Sequence, residues 1–167
     1  MDRTFEQLGY QIATICRNRD AMFLVNDRLD IALAVGADGV HLGVDDLSVE
    51  SARQVGGDQF VIGYSPETDD QAQLAGLLGA TYLGVGPVFG TTSKHDAGEA
   101  IGLDTLRRRV ALSGLPTVGI GGITAANAGQ ALAAGACGVA VMSAILGSNE
   151  PASAAKALVL AMAETSG

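Results

Sequence analysis

The chain has 167 residues, of which 48% are hydrophobic and 17% are charged, so it can bury a core and is not disordered. Its formal net charge of −8 argues against a nucleic-acid backbone or an anionic membrane surface as the main partner. The two cysteines, Cys16 and Cys137, form no CxxC pair. We therefore predict two buried thiols and a reducing compartment, the cytoplasm.

A long segment without any charged residue runs from Val110 to Asn149 and is interrupted by Pro116, Asn127 and several glycines. The pieces between these interruptions are too short to cross a bilayer, so we predict no membrane span. In such a protein, an uncharged stretch of this length indicates elements that are buried on both sides.

Three similar segments, 36–43, 79–86 and 135–142, each place a Gly-Ala pair between a helical pattern and a short apolar run. Glycine favours the left-handed cap that ends a helix, so each segment predicts a helix, a tight turn and a strand. The predicted elements in chain order are helix 4–16, strand 22–25, helix 27–35, a strand within 36–43, helix 48–55, strand 59–62, helix 67–78, a strand within 79–86, helix 103–110, strand 116–120, helix 124–134, a strand within 135–142 and helix 151–163.

Strands and helices alternate throughout, and the strands are continuously apolar, which is typical of a parallel sheet covered by helices. No G-x-G-x-x-G or Walker A sequence occurs, which disfavours an open nucleotide-binding sheet. Instead, Gly121-Gly122 follows the penultimate strand, and a short helix over 143–146 follows the last, as in the phosphate site of a barrel. We predict a single domain, 1–167, with the α/β fold of a parallel (β/α)8 TIM-type barrel.

Polar residues follow the predicted strands, and a barrel brings the carboxyl ends of its strands together at one mouth. Asp27 and Asp46 follow neighbouring strands, and two such carboxylates can hold Mg²⁺ together with phosphate oxygens and water. Hydroxyl groups and Lys94 come next, and the backbone amides at Gly121-Gly122 and at the short helix suit anions. These residue types together predict substrates that carry phosphate groups.

The sequence leaves a simpler interpretation open for most of these residues. Asp27 could cap the following helix, the pair Asp45-Asp46 could lie in a solvated loop, and Ser65-Pro66 could be a turn. The two glycines at 121 and 122 could mark only a tight turn. His41 lies inside a strand, so we expect a hydrogen-bonded core residue, and the sequence has neither zinc-ligand spacing nor a Ser-His-Asp order.

Six motifs in register resemble the thiamine-phosphate synthase family over nearly the whole chain, from about Thr4 onward. They are Val25-Asn26-Asp27, Gly39-Val40-His41-Leu42-Gly43 with Asp46, Gly63-x-Ser65, Gly86-Pro87-Val88-Phe89-x-Thr91-x-Ser93-Lys94, Gly119-Ile120-Gly121-Gly122-Ile123 and Val139-Ala140-Val141-Met142-Ser143-Ala144-Ile145. The resemblance implies a (β/α)8 barrel that joins hydroxymethylpyrimidine diphosphate to a thiazole phosphate and releases pyrophosphate. It also implies dissociative chemistry, in which the diphosphate leaves first and the thiazole nitrogen captures a pyrimidine cation.

The same resemblance implies a role for each matching residue. Asp27 and Asp46 would bind Mg²⁺ on the diphosphate, and Ser65 and Lys94 would be the catalytic residues. Contacts to the pyrimidine diphosphate would come from Asn26, Ser65 and Lys94, and contacts to the thiazole phosphate from Thr91, Thr92, Ser93, Gly122, Met142 and Ser143. The implied partners are small molecules, and neither nucleic acid nor a membrane is among them.

The family's first strand, first helix and second strand have no counterpart in the chain, and that second strand normally carries a Gln-x-Arg-x-Lys set for the pyrimidine diphosphate. Such a barrel would expose unpaired strand edges, so we expect self-association into a homo-oligomer. One alternative function is therefore a truncated barrel that binds only the thiazole phosphate. Another is the related thiazole tautomerase, which uses a histidine shortly after the Gly-x-Ser, whereas residues 66–68 include no histidine.

Overall fold

The computed structural model describes residues 2–91 and 98–164. The strands are β1 (Leu24–Asn26), β2 (Gly39–Leu42), β3 (Val61–Tyr64), β4 (Tyr82–Val85), β5 (Thr117–Ile120) and β6 (Gly138–Ala140). The helices are α1 (Asp2–Arg17), α2 (Leu29–Ala34), α3 (Val49–Gly56), α4 (Asp69–Leu74), α5 (Gly102–Ser113), α6 (Ala128–Ala133), α7 (Ser143–Leu146) and α8 (Pro151–Ala163). The predicted short helix after the last strand is confirmed as α7, and α8 has the predicted bounds.

The strands form one parallel sheet in the order β1-β2-β3-β4-β5-β6, curled into a half-barrel. Each strand pairs with the next along the chain, and the helices lie in the connections between them. The prediction of alternating strands and helices around a parallel sheet is confirmed. Within residues 2–91 and 98–164 the sheet has six strands, so this part of the chain does not contain the eight strands of a closed barrel.

Small residues allow the helices to lie close against the sheet. The strand residues Leu42, Ile62 and Leu83 are fully buried, and the helical residues that share this core with them, Ala32 and Ala72, are fully buried as well. Alanine brings a helix backbone near the strand side chains without leaving a gap, which interiors packed to crystal-like density require. This explains why the chain uses Ala-rich helices beside β-branched and leucine-rich strands.

Several predicted boundaries differ from the observed ones by one to four residues, and two of these differences come from side chains that bond to the backbone. Strand β3 begins at Val61 rather than at residue 59, because the Arg53 guanidinium holds the carbonyls of Gly57 and Phe60, at 2.5 and 2.7 Å, in a turn. Helix α4 begins at Asp69 rather than at residue 67, because Thr68 caps it. The Thr68 hydroxyl accepts a hydrogen bond from the Gln71 backbone amide at 3.2 Å, and the Gln71 side-chain oxygen accepts one from the Thr68 backbone amide at 3.1 Å.

The prediction of two buried thiols is also wrong. Cys16 is half-buried and Cys137 is exposed, and neither is in a disulfide. Cys137 directly precedes β6, which pairs with β5 alone in the described residues, so one side of this strand is uncovered. In the described residues, none of the helices is both long enough and apolar enough to cross a membrane.

A buried arginine of α5 fixes the loop that follows β3. The Arg109 guanidinium donates to the carbonyl of buried Pro66 at 2.9 Å, to the carbonyl of Glu67 at 2.5 Å and to Asp69 at 3.2 Å. Hydrogen bonds from Arg108 and Arg109 hold the pKa of Asp69 below its ordinary value. Arg109 therefore ties α5 to the loop that begins at Ser65.

We expect Arg109→Met to lower the free energy of unfolding by about 2 kcal/mol, because buried carbonyls lose their donor. The matched control is Arg107→Met, since exposed Arg107 forms a surface ion pair with exposed Asp104 at 2.7 Å. This substitution should change stability by less than about 0.5 kcal/mol. Urea unfolding curves of both variants give the comparison. Equal losses of stability in the two variants would contradict the role of Arg109 in holding the loop after β3.

Candidate functional site

The carboxyl ends of the strands meet at one edge of the sheet, because neighbouring strands are parallel and in register. Asn26 ends β1, and Ser65 directly follows β3 with its amide bonded to the carbonyl of Leu42 at 2.9 Å. Met142 and Ser143 follow β6 within three residues. Polar residues from strands that are distant in the sequence are thus brought to the same edge.

Asp27 has a backbone conformation that is uncommon for a residue with a side chain. Its φ is +65°, in the left-handed region, and its amide bonds to the carbonyl of His41 at 2.8 Å. The carboxylate accepts a hydrogen bond from the Asn26 side-chain amide at 2.6 Å. The N-cap position of α2 is Arg28, so the simple interpretation of Asp27 as that cap residue is not supported. Uncommon backbone geometry at a strand end is typical of functional sites.

Asp46 lies in the loop after the neighbouring strand β2 and is fixed by the backbone. Its Oδ2 accepts a hydrogen bond from the Gly43 amide at 2.7 Å, and the side chain is half-buried. Asp45, beside it, is exposed to solvent. Asp46 is therefore an ordered carboxylate at the edge of the sheet, next to the strand that carries Asp27.

A polar chain of three side chains crosses the interior of the half-barrel. His41 on β2 is hydrogen-bonded through Nε2 to the Ser65 hydroxyl and through Nδ1 to the Tyr82 hydroxyl, at 2.8 Å in both cases. The prediction that His41 is hydrogen-bonded is confirmed, but the side chain is half-buried and does not lie in the hydrophobic core. Tyr82 lies at the start of β4, and burial raises the pKa of its hydroxyl.

A cavity of about 340 Å³ opens beside Ser65, and residues after four strands line it. Its lining comprises Ser65, Pro87, Thr91, Ile120, Gly121, Gly122, Ile123, Ala140, Val141, Met142 and Ser143. The predicted site residues Ser65, Thr91, Gly122, Met142 and Ser143 are therefore brought together around one space. Cavities of about 530 and 450 Å³, beside α8 and beside the end of α1, are larger and contain none of the predicted residues. A further cavity of about 380 Å³ is lined by Asp27 and by apolar side chains of α2 and α3.

The glycine pair after β5 is required where it is. Gly121 and Gly122 have φ values of +88° and +65°, and an added Cβ at Gly122 would come within 2.5 Å of the Gly90 carbonyl oxygen. Asn127 holds the loop by donating to the Gly122 carbonyl at 3.0 Å and accepting from the Thr124 amide at 2.8 Å. The two glycines therefore line the cavity, so they are not explained by a tight turn alone.

Three predicted residues, Thr92, Ser93 and Lys94, lie outside the described residues. The sequence predicted only a core position for His41, whereas in the structure His41 is hydrogen-bonded to Ser65. Tyr82 was not singled out at all. The sequence signals for these two were the Gly-Val-His-Leu-Gly motif and the Gly-Ala-Thr-Tyr segment at 79–82, and neither shows which residues touch.

Among residues 2–91 and 98–164, no cluster of three or more His, Cys, Asp or Glu side chains could hold a metal ion by itself. Asp27 and Asp46 provide two carboxylates, and the Asn26 amide lies beside the first of them. Mg²⁺ prefers such oxygen donors and usually takes only one or two carboxylates, with phosphate and water completing its shell. The donor set fits Mg²⁺ bound together with a diphosphate better than a metal held by protein alone.

Known proteins resemble the chain over most of its length. A family model described as thiamine monophosphate synthase matches residues 1–145. The thiamine-phosphate synthase of Moorella thermoacetica is 49% identical over 156 residues, which are 93% of this chain and 74% of that protein. The bifunctional protein ThiM/ThiE of Symbiobacterium thermophilum is 51% identical over 149 residues, 89% of this chain but only 31% of that protein.

The solved structure of a thiamine phosphate pyrophosphorylase from Pyrococcus furiosus has a TM-score of 0.91 and 39% identity, and the match covers 100% of this chain and 80% of that one. Together with the sequence relatives, it confirms the family predicted from the six motifs. The chain belongs to the thiamine monophosphate synthase family.

Proposed function

We propose that the chain is a transferase of thiamine biosynthesis that condenses hydroxymethylpyrimidine diphosphate with thiazole phosphate and releases pyrophosphate. The observation that carries this proposal is the cavity beside Ser65, which is lined by Thr91, Gly122 and Ser143. It lies at the same edge of the sheet as Asp27 and Asp46. Family membership supports the same reaction.

The two substrates would bind at the carboxyl ends of different strands of the sheet. Asn26, Asp27 and Asp46, after β1 and β2, would face the diphosphate, while the cavity at β4 to β6 would take the thiazole phosphate. Ser65 follows β3, between these two groups, and lines the cavity. This order would place the carbon that loses the diphosphate next to the thiazole nitrogen that attacks it.

The reaction breaks the bond between the pyrimidine methylene carbon and a diphosphate oxygen, and forms a bond from that carbon to the thiazole nitrogen. Positive charge around the leaving diphosphate lowers the barrier more than a general base would. Mg²⁺ held by Asp27 and Asp46 would supply that charge. Ser65 and Lys94 would act as the catalytic residues by binding the diphosphate, and Asn26 would orient it.

The thiazole phosphate would be held at the other side of the site. Gly122, Met142 and Ser143 line the cavity together with Thr91, and backbone amides at such glycine-rich loops bind phosphate oxygens. Thr92 and Ser93 are proposed to add hydroxyl donors.

We further propose that the six strands belong to a TIM-type barrel whose first two strands have no counterpart among the described residues, that they form a single domain, and that the protein is cytoplasmic. Small molecules would be its partners, since the net charge of −8 opposes binding to nucleic acid or an anionic membrane. The edges of the described sheet, β1 and β6, each have one neighbouring strand, which favours a homo-oligomer. Sedimentation of the chain as a soluble monomer would contradict the oligomer.

The activity is tested by mixing both substrates with Mg²⁺ and measuring thiamine phosphate and pyrophosphate. We expect both products in equal amounts, and no product when either substrate is left out. Removal of divalent cations with a chelator should abolish the reaction, and added Mg²⁺ should restore it. A chain that forms neither product under these conditions would contradict the proposed function.

The alternatives predict different results in calorimetry with separate ligands. A barrel that binds only the thiazole phosphate would give no heat with the pyrimidine diphosphate and Mg²⁺, whereas the transferase should bind both. A thiazole tautomerase would isomerise its thiazole substrate without any pyrimidine. The Moorella relative is named a thiamine-phosphate synthase and the Pyrococcus structure a thiamine phosphate pyrophosphorylase, and neither name supports one of the alternatives.

A further inference from the structure

His41 is held between two hydroxyl groups from different strands. Its Nδ1 lies 2.8 Å from the Tyr82 oxygen and its Nε2 lies 2.8 Å from the Ser65 oxygen. The rings of His41 and Tyr82 are 5.4 Å apart between centroids and tilted by 42°. The three side chains form one continuous path from β4 through β2 to the residue that follows β3.

The strand register explains how side chains two strands apart can touch. His41 is paired with Gly63, and Gly63 is paired with Tyr82, so a glycine stands between the two rings. A Cβ added to Gly63 would come within 2.3 Å of His41 Nδ1 and 2.4 Å of the Tyr82 hydroxyl. Because any side chain at this position would separate the rings, Gly63 is what allows the contact.

A second glycine supports the other side of the ring. A Cβ added to Gly84 would lie 2.9 Å from His41 Cε1 and 3.4 Å from the Ser65 hydroxyl oxygen. Neither Gly63 nor Gly84 has a positive φ, so the backbone conformation does not require glycine at these positions. Space for the imidazole is therefore the reason for both glycines, and the position of the ring is fixed.

The chemistry of the three groups gives their hydrogen bonds a direction. A neutral imidazole has one N–H donor and one acceptor nitrogen. The half-buried Tyr82 hydroxyl keeps its proton, since desolvation raises its pKa, and a phenol donates to an imidazole nitrogen better than it accepts from one. Nδ1 is then the acceptor, and Nε2–H donates to the Ser65 oxygen. The hydrogen of the Ser65 hydroxyl is turned away from the ring.

We propose that Tyr82 is a positioning residue for the reaction, acting through His41 to hold the Ser65 hydroxyl as a hydrogen-bond donor towards the anionic pyrimidine diphosphate. This inference rests on the proposed function, because the ligand of Ser65 comes from it. A chain of hydrogen bonds that all run in one direction strengthens each member. With the opposite direction, Ser65 would donate to His41 and could offer the diphosphate only an oxygen, which repels it.

The kinetic test is Tyr82→Phe, which removes the hydroxyl and keeps the ring. We expect the KM for the pyrimidine diphosphate to rise about 10-fold, because a Ser65 hydroxyl that is free to donate to His41 loses its hydrogen bond to the charged diphosphate. The KM for thiazole phosphate should change by less than about 2-fold. The matched control is Tyr10→Phe, which removes a hydroxyl that donates to the Ala34 carbonyl at 2.9 Å, away from the strand ends. It should leave both KM values unchanged.

The direction of the hydrogen bonds is tested by ¹⁵N NMR of labelled histidine at pH about 8, where unperturbed histidine is neutral. The chain has two histidines, His41 and His95, so a His95→Gln sample assigns both signals. We expect the Nε2–H tautomer of His41 in the wild type and in Tyr10→Phe, and a mixture with the Nδ1–H tautomer in Tyr82→Phe. This readout needs no substrate, so it stays decisive if the chain proves inactive and the proposed function fails.

Two variants of His41 distinguish the loss of the hydrogen bond to Ser65 from a general loss of folding. Gln keeps an amide donor that can reach Ser65, whereas Leu keeps only a comparable volume. At similar thermal stability, the kcat/KM of His41→Gln should therefore be at least about 5-fold higher than that of His41→Leu. An Nδ1–H tautomer in the wild type would overturn the proposal. So would a Tyr82→Phe variant with unchanged tautomer and unchanged KM, or equal losses in the two His41 variants.

Discussion

Replacing Asp27 and Asp46 together with alanine is expected to lower the rate of thiamine phosphate formation by about 1,000-fold at saturating substrates and Mg²⁺. Metal stabilisation of developing negative charge supplies several kcal/mol, and each 1.4 kcal/mol is a factor of about ten in rate. The two carboxylates follow the neighbouring strands β1 and β2, and each is fixed by a hydrogen bond, from Asn26 and from the Gly43 amide.

Single variants separate metal binding from other roles of the two aspartates. Asp46→Ala should raise the Mg²⁺ concentration that gives half-maximal rate, because one of the two proposed protein ligands is lost. The matched control is Asp45→Ala, since Asp45 is the adjacent carboxylate and is exposed. It should leave the rate and the Mg²⁺ dependence unchanged. Substantial activity in the double variant would rule out these residues as the metal ligands.

Gly122→Ala is expected to lower kcat/KM for the thiazole phosphate by about 100-fold. The new methyl group would stand 2.5 Å from the Gly90 carbonyl oxygen and 2.8 Å from the carbonyl carbon of Phe89, so the β4–α5 and β5–α6 loops must move apart. A displacement of about 1 Å in a substrate-positioning loop typically costs a factor of this size. The rate is measured as a function of thiazole phosphate at saturating pyrimidine diphosphate.

The matched control for this variant is Gly114→Ala. Gly114 ends α5 with a φ of +61°, close to the +65° of Gly122, but an added Cβ there has no atom within 4 Å. The backbone strain is therefore similar, about 1 kcal/mol of stability, and the steric clash is absent. We expect Gly114→Ala to keep wild-type kinetics. Equal kinetic losses in both variants would show that strain alone, and not the shape of the cavity, determines the effect.

The elements that could be predicted from the sequence are those set by local patterns. Helix α8 was predicted with its observed bounds, because a proline at its first position and an uninterrupted Ala/Leu-rich run define it. Strand β3 was displaced by two residues, because Arg53 of α3 bonds to the carbonyls before it. A contact between α3 and the turn before β3 leaves no trace in a local hydrophobic pattern, so the boundary could not be found.

Some residues of the candidate site could likewise be predicted from the sequence, and others could not. Asp27, Asp46 and Gly122 were found because each follows a predicted strand, and parallel strands bring such residues to one edge. Their roles, and those of Asn26 and Lys94, remain proposals. Tyr82 was missed because its contact with His41 depends on the register of three strands and on the absence of a side chain at Gly63.

The sequence by itself determined the family, the alternation of strands with helices and the polar residues at the strand ends, because motifs, periodicity and chain order are local properties. Only the tertiary structure decided which of these residues touch. Contacts across the sheet depend on strand register and on space between side chains, and both are set by residues that lie far apart in the chain. The connection of Tyr82 through His41 to Ser65 is the clearest example. Its two hydrogen bonds join residues that are 41 and 24 positions apart in the chain, and they form because the register of β2, β3 and β4 aligns these residues.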